Sequence, residues 1–197
     1  MYQAIRHLSK NDKILKGIIS RYPLTRTAST DDLLESLIKI IIDQRLSVAS
    51  AQAIVNRFFN QFPDHSPEKI LDAGSEVLRE SGLSRAKTTC IQDLCKKIIY
   101  KELNINGLSQ KSDFVIKSEL MQIQGVGEWT ADVFLLFGLN RPDILPAGDL
   151  ALRKAVMNNY KMKRMPDREE VKILAEKNGW SPYRSYASLS LWNSLKN

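Results

Sequence analysis

Two glycines one residue apart, set between two apolar helical segments, constrain this chain more than any other feature. The run from Leu120 to Leu152 opens on an apolar helix end, Leu120 to Ile123, and passes at once into Gln124-Gly125-Val126-Gly127. Glycines flanking a single apolar residue suit a tight turn that needs positive φ. A second apolar-periodic segment follows without a gap, with Trp129, Val133, Phe134, Leu136 and Phe137 on one broad face. The pattern is helix, Gly-x-Gly hairpin, helix. A connection punctuated by glycine and proline, Gly138 to Gly148, then delivers one carboxylate, Asp149, to the start of the next helix.

The same punctuation recurs along the chain. Asn11 to Arg21 reads as a short helix, and Pro23 to Ser29 as a connection. Thr30-Asp31-Asp32 caps an apolar helix that Asp43-Gln44-Arg45-Leu46 interrupts, and Ser47 caps the next one. Ser66-Pro67 starts a short helix, Ser75 to Ser81 forms another closed by Gly82, and Ser84 caps a long one. Ser112 to Gln122 leads into the hairpin. Beyond it come helices from Asp149 to about Tyr160, from Asp167 to Asn178, and from Ser181-Pro182 onward. No alternation of period two appears, so the fold class is all-α, with about ten or eleven helices. No internal repeat or low-complexity tract is visible.

Composition narrows the partners. The 197 residues are 43% hydrophobic, enough to bury a real core as one domain or as two small lobes sharing a cleft. Lysine and arginine number 29 against 22 acidic residues, a net charge of +7. That balance attracts polyanions, nucleic acid first, although a basic surface with no partner has the same composition. Cys90 and Cys95 are too few for a disulfide framework or a four-cysteine cluster, and Cys90 falls on an apolar helix face. His7 and His65 lie too far apart in sequence to suggest a metal site. No signal-type core or spanning apolar run is present, so a soluble intracellular protein is expected, in the cytoplasm or nucleoid, or the nucleus of a eukaryote. No oligomer interface is signalled, and a monomer with no membrane partner is expected.

A Gly-x-Gly turn running into a helix can hold a phosphate oxygen on backbone N–H groups. An ordinary αα-hairpin has the same sequence cue. Asp149 likewise reads as a plain N-cap or as a catalytic carboxylate, and the two roles are compatible. Gln-Gly-Val-Gly-Glu-Trp-Thr-Ala-Asp, followed by Pro-Ala-Gly-Asp-Leu, resembles the helix-hairpin-helix, Gly/Pro-rich-loop and aspartate (HhH-GPD) superfamily of DNA glycosylases. Ile42 to Val48, Gly82 to Lys87, and Trp180 through Trp192 resemble segments of its branch called 3-methyladenine DNA glycosylase II. The resemblance covers roughly residues 30–197. Larger members carry an N-terminal β domain, and this chain resembles the compact form.

The resemblance implies two helical lobes with the active-site cleft between them: 30–140 as a central lobe ending in the hairpin, and 1–29 with 141–197 as a second lobe built from both termini. It implies hydrolysis of the N-glycosidic bond of alkylated purines in double-stranded DNA, leaving an abasic site. Asp149 matches the catalytic aspartate. Trp129 stands where bifunctional relatives carry the Schiff-base lysine, so no lyase activity is expected. An indole face suits a cationic alkylated purine, and Trp129, Trp192 and Val133 are the candidate base pocket, with Tyr183 and Tyr186 as further candidates; core packing is the competing role for each aromatic. Gln44 would face the opposite strand and Arg45 would be the wedge that fills the gap left by the extruded base. Gly125, Val126, Gly127 and Thr130 would hold phosphate; Arg85, Lys87 and Arg153 read equally as phosphate contacts or as solvated surface charges. No cofactor is required; main-chain carbonyls of Met121, Ile123 and Gly125 match a site for a monovalent cation, Na+ or K+. Arg45 and Val133 depart from relatives with an apolar wedge and an aromatic pocket wall. Two other readings therefore stand beside the first: a non-catalytic helix-hairpin-helix DNA-binding protein, and a related glycosylase for another base lesion.

Overall fold

The computed structural model describes residues 1–24 and 32–195. Among these residues there are twelve α-helices and no strand. In chain order they are α1 (Tyr2–Asn11), α2 (Lys13–Arg21), α3 (Leu33–Asp43), α4 (Val48–Gln61), α5 (Pro67–Asp72) and α6 (Gly74–Glu80). Then follow α7 (Arg85–Ile99), α8 (Asp113–Leu120), α9 (Glu128–Val133), α10 (Leu150–Asn159), α11 (Arg168–Lys177) and α12 (Arg184–Asn193). A π-type turn, Phe134–Gly138, extends α9, and a 3₁₀ turn, Leu108–Gln110, precedes α8. No helix is long and apolar enough to cross a membrane among the described residues.

The chain divides into two compact units, Ser29–Leu139 and Met1–Ala28 with Asn140–Asn197. In the first, α3 is the centre. Leu34, Leu37, Ile38, Ile40, Ile41 and Ile42 are all buried, so the apolar face is broad, and Glu35 and Lys39 pair along the polar edge that remains. It packs against α4, α7, α9 and the π-type turn. Asp32 caps it, accepting the Glu35 N–H at 2.9 Å. The Thr30-Asp31 part of the expected cap, and most of the 23–29 connection, lie outside the described residues. Cys90 and Cys95 are buried in α7, and burial pushes each thiol up to about 12, with Asp93 and Glu68 adding to the respective shifts. Both stay protonated packing residues near neutral pH.

The second unit is built from both ends of the chain. Its core gathers Leu8, Leu15, Ile18, Leu152, Val156, Val171, Trp180 and Leu191. Asp12 ends α1 and caps α2, so the helix expected over Asn11 to Arg21 begins two residues later as α2, and α1 ahead of it was not expected. Its Oδ1 accepts the N–H groups of Ile14 and Leu15, and its Oδ2 accepts the Trp180 indole N–H at 2.9 Å and the Tyr160 hydroxyl. Burial and this carboxylate together push the Tyr160 phenol far up from its ordinary value. The last helix also differs from expectation. Ser181–Pro182 is a cis peptide outside it, and α12 starts at Arg184.

Candidate active site

In the central unit the hairpin forms as its sequence predicts, with one refinement. Gly125 has φ +88, a conformation that strains any side chain, and a Cβ there would meet Cys90 Cβ at 3.3 Å. Gly127 differs: its φ of −106 and ψ of −177 are extended backbone open to any residue. A Cβ on Gly127 would meet nothing within 4 Å. The chain's own packing therefore does not require glycine at 127. No side chain caps the α9 N-terminus there. Other hairpin groups are engaged from within: Asp93 accepts the Gln124 N–H at 2.8 Å, and Ile123 O accepts the Val126 N–H at 3.0 Å. An ion pair of 2.7 Å between Lys117 and buried Asp132 ties α8 to α9.

Of the residues that follow, Trp129 is half-buried, while Thr130 and Val133 are buried. Thr130 has a partner of its own: its hydroxyl accepts Gln44 Nε2 at 2.9 Å and it is only 2% exposed. Its hydroxyl thus sits inside the hairpin rather than on the surface expected of a phosphate ligand. The same Gln44 nitrogen donates to Gly125 O at 3.3 Å. Gln44 reaches back to the hairpin through both contacts, where the resemblance had it facing the opposite strand.

The turn carrying Gln44 is short. Leu46 N–H donates to Asp43 O at 3.1 Å, and Ser47 caps α4 through the Ser50 N–H. Arg45 is exposed with φ +58, a left-handed conformation that costs a non-glycine residue roughly 1–2 kcal/mol. Val48, just beyond it, is 87% exposed. Lys87 is not a surface cation. It is 9% exposed and its Nζ donates to Ile42 O at 2.7 Å, at the end of α3. Burial lowers its pKa against the pull of Asp43, while burial raises that of Asp43 against the pull of Lys87 and Lys39. Arg85 is exposed at the start of α7.

In the other unit, Asp149 caps α10. Its Oδ1 accepts the Leu152 N–H at 2.7 Å and the Trp192 indole N–H at 2.9 Å. Two donors from different helices thus fix one carboxylate oxygen. The loop leading to it turns through Ala147 N–H to Leu145 O and Asp149 N–H to Pro146 O, both 2.8 Å. Two residues missed in the sequence hold this loop. Arg184 grips Asp143 through Nε and Nη2 at 2.8 and 2.9 Å, which, with further bonds from Ser181 and backbone N–H, keeps that carboxyl below its ordinary range despite burial. Ser185 Oγ donates to Arg141 O at 2.6 Å and accepts the Ile144 N–H at 2.9 Å. These pairs are 41 or 44 residues apart, so no local signal marks them. Arg168 lies against Gly148, where a Cβ would come within 2.5 Å of its Nε. Arg153 donates Nε to Pro166 O at 2.6 Å. Tyr183 and Tyr186 pack on the unit's core and on each other, their centroids 6.1 Å apart.

Comparison with known proteins follows the same lines. The HhH-GPD superfamily of base excision DNA repair proteins matches residues 38–180. DNA-3-methyladenine glycosylase 1 of Schizosaccharomyces pombe is 30% identical over 201 residues, which cover 96% of this chain and 84% of that protein. The solved structure of S. pombe 3-methyladenine DNA glycosylase in complex with abasic DNA superposes with a TM-score of 0.85 at 29% identity, covering 99% of this chain and 97% of that one. An 8-oxoguanine glycosylase/lyase of Clostridium acetobutylicum shares the fold, with a TM-score of 0.84 at 20% identity over 98% of this chain and 69% of that one.

Proposed function

The chain belongs to the HhH-GPD superfamily of base excision DNA repair proteins, and from that membership we propose that it hydrolyses the N-glycosidic bond of alkylated purines, of the 3-methyladenine and 7-methylguanine type, in double-stranded DNA. The product is free base and an abasic site. The observation that carries this reading is Asp149, held by Leu152 N–H and Trp192 Nε1–H at the end of its glycine- and proline-punctuated loop.

As the glycosidic bond lengthens, positive charge develops on the sugar. A carboxylate fixed in advance stabilises that charge without reorganising, and it can orient the attacking water. The alkylated base already carries positive charge. It takes the bonding electron pair and leaves neutral, so no general acid is required. The half-exposed indole of Trp129 offers such a cation a π face, an attraction worth roughly 0.5–2 kcal/mol. No amine stands at position 129, and without one there is no Schiff base and no strand cleavage.

Gly125-Val126-Gly127 serves as the backbone grip on phosphate. Support comes from Gly127, whose lack of a side chain leaves room for an external group to approach the α9 N-terminus. Arg45, exposed on its strained turn, fills the gap when the base leaves the stack. The carbonyls of Met121, Ile123 and Gly125 suit a weakly held Na+ or K+. Ile123 O and Gly125 O already accept one hydrogen bond each, and a carbonyl oxygen has a second lone pair. Such a cation would supply fixed positive charge beside the grip.

The deciding experiment measures release of free base from duplexes carrying 3-methyladenine, 7-methylguanine, hypoxanthine or 8-oxoguanine. The protein releases the methylated purines, and Asp149→Asn loses about 10²-fold or more in rate while keeping its melting temperature. Unchanged release by Asp149→Asn overturns the catalytic assignment. Release of the other lesions alone makes it a different glycosylase, and no release at all makes it a binding protein.

A further inference from the structure

We propose that Gln44 is a strut and not a reader of the opposite strand. Its carboxamide, together with the ammonium of Lys87, locks the turn bearing Arg45 onto the helix-hairpin-helix. Both act as positioning residues for the wedge, a role that rests on the function proposed for Arg45.

The geometry at Gln44 points inward. Nε2 donates to Thr130 Oγ1 at 2.9 Å and to Gly125 O at 3.3 Å, across 86 and 81 residues of sequence. Both acceptors belong to the hairpin, and Thr130 is buried. A carboxamide nitrogen has two hydrogens, enough to serve both acceptors. Reading a base on the opposite strand with this nitrogen would require breaking the link that sets where the turn lies.

Lys87 acts two residues earlier, at the end of α3. Helix C-termini leave carbonyls without intrahelical partners. At the end of α3 the Ile42 carbonyl receives the Lys87 ammonium at 2.7 Å. A cation there also faces the negative end of the helix dipole. Burying a lysine is costly, and an apolar side chain would fill the same space without the desolvation penalty. The charge is explained if the end of α3 has to stay in place, because Gln44 and Arg45 are the next two residues but one. With the chain ahead of Arg45 fixed at Ile42 by Lys87 and at Gln44 by the hairpin, and the chain after it closed by Leu46 N–H on Asp43 O, the turn holds Arg45 at φ +58 before any DNA arrives. Such preorganisation matters for a wedge, since small misplacements of reacting groups cost large factors in rate.

The test separates a strut from a reader. Single-turnover excision of 3-methyladenine is measured at saturating protein, with each of the four bases opposite the lesion, for Gln44→Ala, Lys87→Met and Lys87→Arg. A strut predicts that Gln44→Ala slows excision by about tenfold with every opposite base while duplex affinity holds. Lys87→Met behaves alike, and Lys87→Arg, which keeps the donor, recovers most of the rate. A 2-aminopurine beside the lesion reports the matching loss of base extrusion. A loss confined to one opposite base, or no loss at all, overturns the proposal. If Lys87→Met fails to fold, the half-exposed Gln44 decides alone. Hydrogen exchange keeps the strut testable apart from catalysis. In Gln44→Ala without DNA, the amides of Leu46 and Val126 exchange faster than in the unaltered protein. Unchanged exchange overturns the strut even if the protein excises bases, and faster exchange upholds it even if the protein releases none.

Discussion

Asp149 shows how two demands meet at one residue. As an N-cap it is visible in sequence, because the group it accepts from, Leu152 N–H, is three residues away. Its second donor is 43 residues away on α12, and nothing local announces it. The sequence marked Trp192 as a candidate stacking surface, whereas the indole N–H is committed to the carboxylate. That contact makes a sharp prediction. Trp192→Phe keeps an aromatic ring and removes the donor together with the rest of the five-membered ring, so its melting temperature is measured alongside the rate. Hydrogen bonds to charged groups contribute about 1.5–3 kcal/mol, so excision at saturation should fall by about tenfold or more with duplex affinity little changed. A variant with near-normal rate would show that Trp192 acts through its ring face instead. Lys87 teaches the converse lesson. It stands among exposed cations in sequence, and only the fold reveals that its ammonium is spent on the end of α3.

At the scale of elements, capping residues were the most legible signal. Asp32, Ser47, Ser66, Ser84, Ser112, Asp149 and Asp167 each accept a backbone N–H at the start of their helices. Each acts within three residues, so the sequence contains the whole interaction. Reading failed where a local cue served a distant purpose. Asp12 falls inside the helix expected from Asn11, yet it ends α1, caps α2 and holds Trp180, 168 residues away. Ser181-Pro182 looks like a cap followed by a first helical proline, yet Ser181 bonds Asp143 and α12 waits until Arg184. The strap from Arg184 to Asp143 carries a pH prediction. The folded state lowers the Asp143 pKa below that of the unfolded chain. Its contribution is therefore fully present above the ordinary carboxylate range near about 4, and is lost as pH falls through the lower, folded value. Asp143→Asn should lose stability at neutral pH and show a shallower decline in melting temperature between about pH 4 and pH 2 than the unaltered protein. Parallel acid limbs in the two proteins would remove this pair from the acid response.

At the scale of the whole chain, the net charge of +7 is the property that sequence states most directly and structure changes least. What structure adds is how little of that charge can be assigned by counting. Lys87, Arg153 and Arg184 are all engaged with internal acceptors, and Lys117 is paired with Asp132. A total charge therefore overstates the number of cations that meet phosphate, and salt dependence measures that number directly. Each phosphate neutralised contributes a slope of about −0.9 in the logarithm of affinity against the logarithm of salt. If about two phosphates are neutralised, raising salt from about 50 to about 200 mM weakens duplex binding by about tenfold, for damaged and undamaged DNA alike. The chemical step should behave differently. Asp149, Trp192 and Leu152 interact at contact distance, where mobile ions screen little. Single-turnover excision at saturating protein should thus hold within about twofold over the same range, while the protein concentration needed for half-saturation rises. A rate at saturation that falls in step with affinity would mean that phosphate contacts act in the transition state as well as in binding. The hairpin grip would then belong to catalysis and not only to attachment.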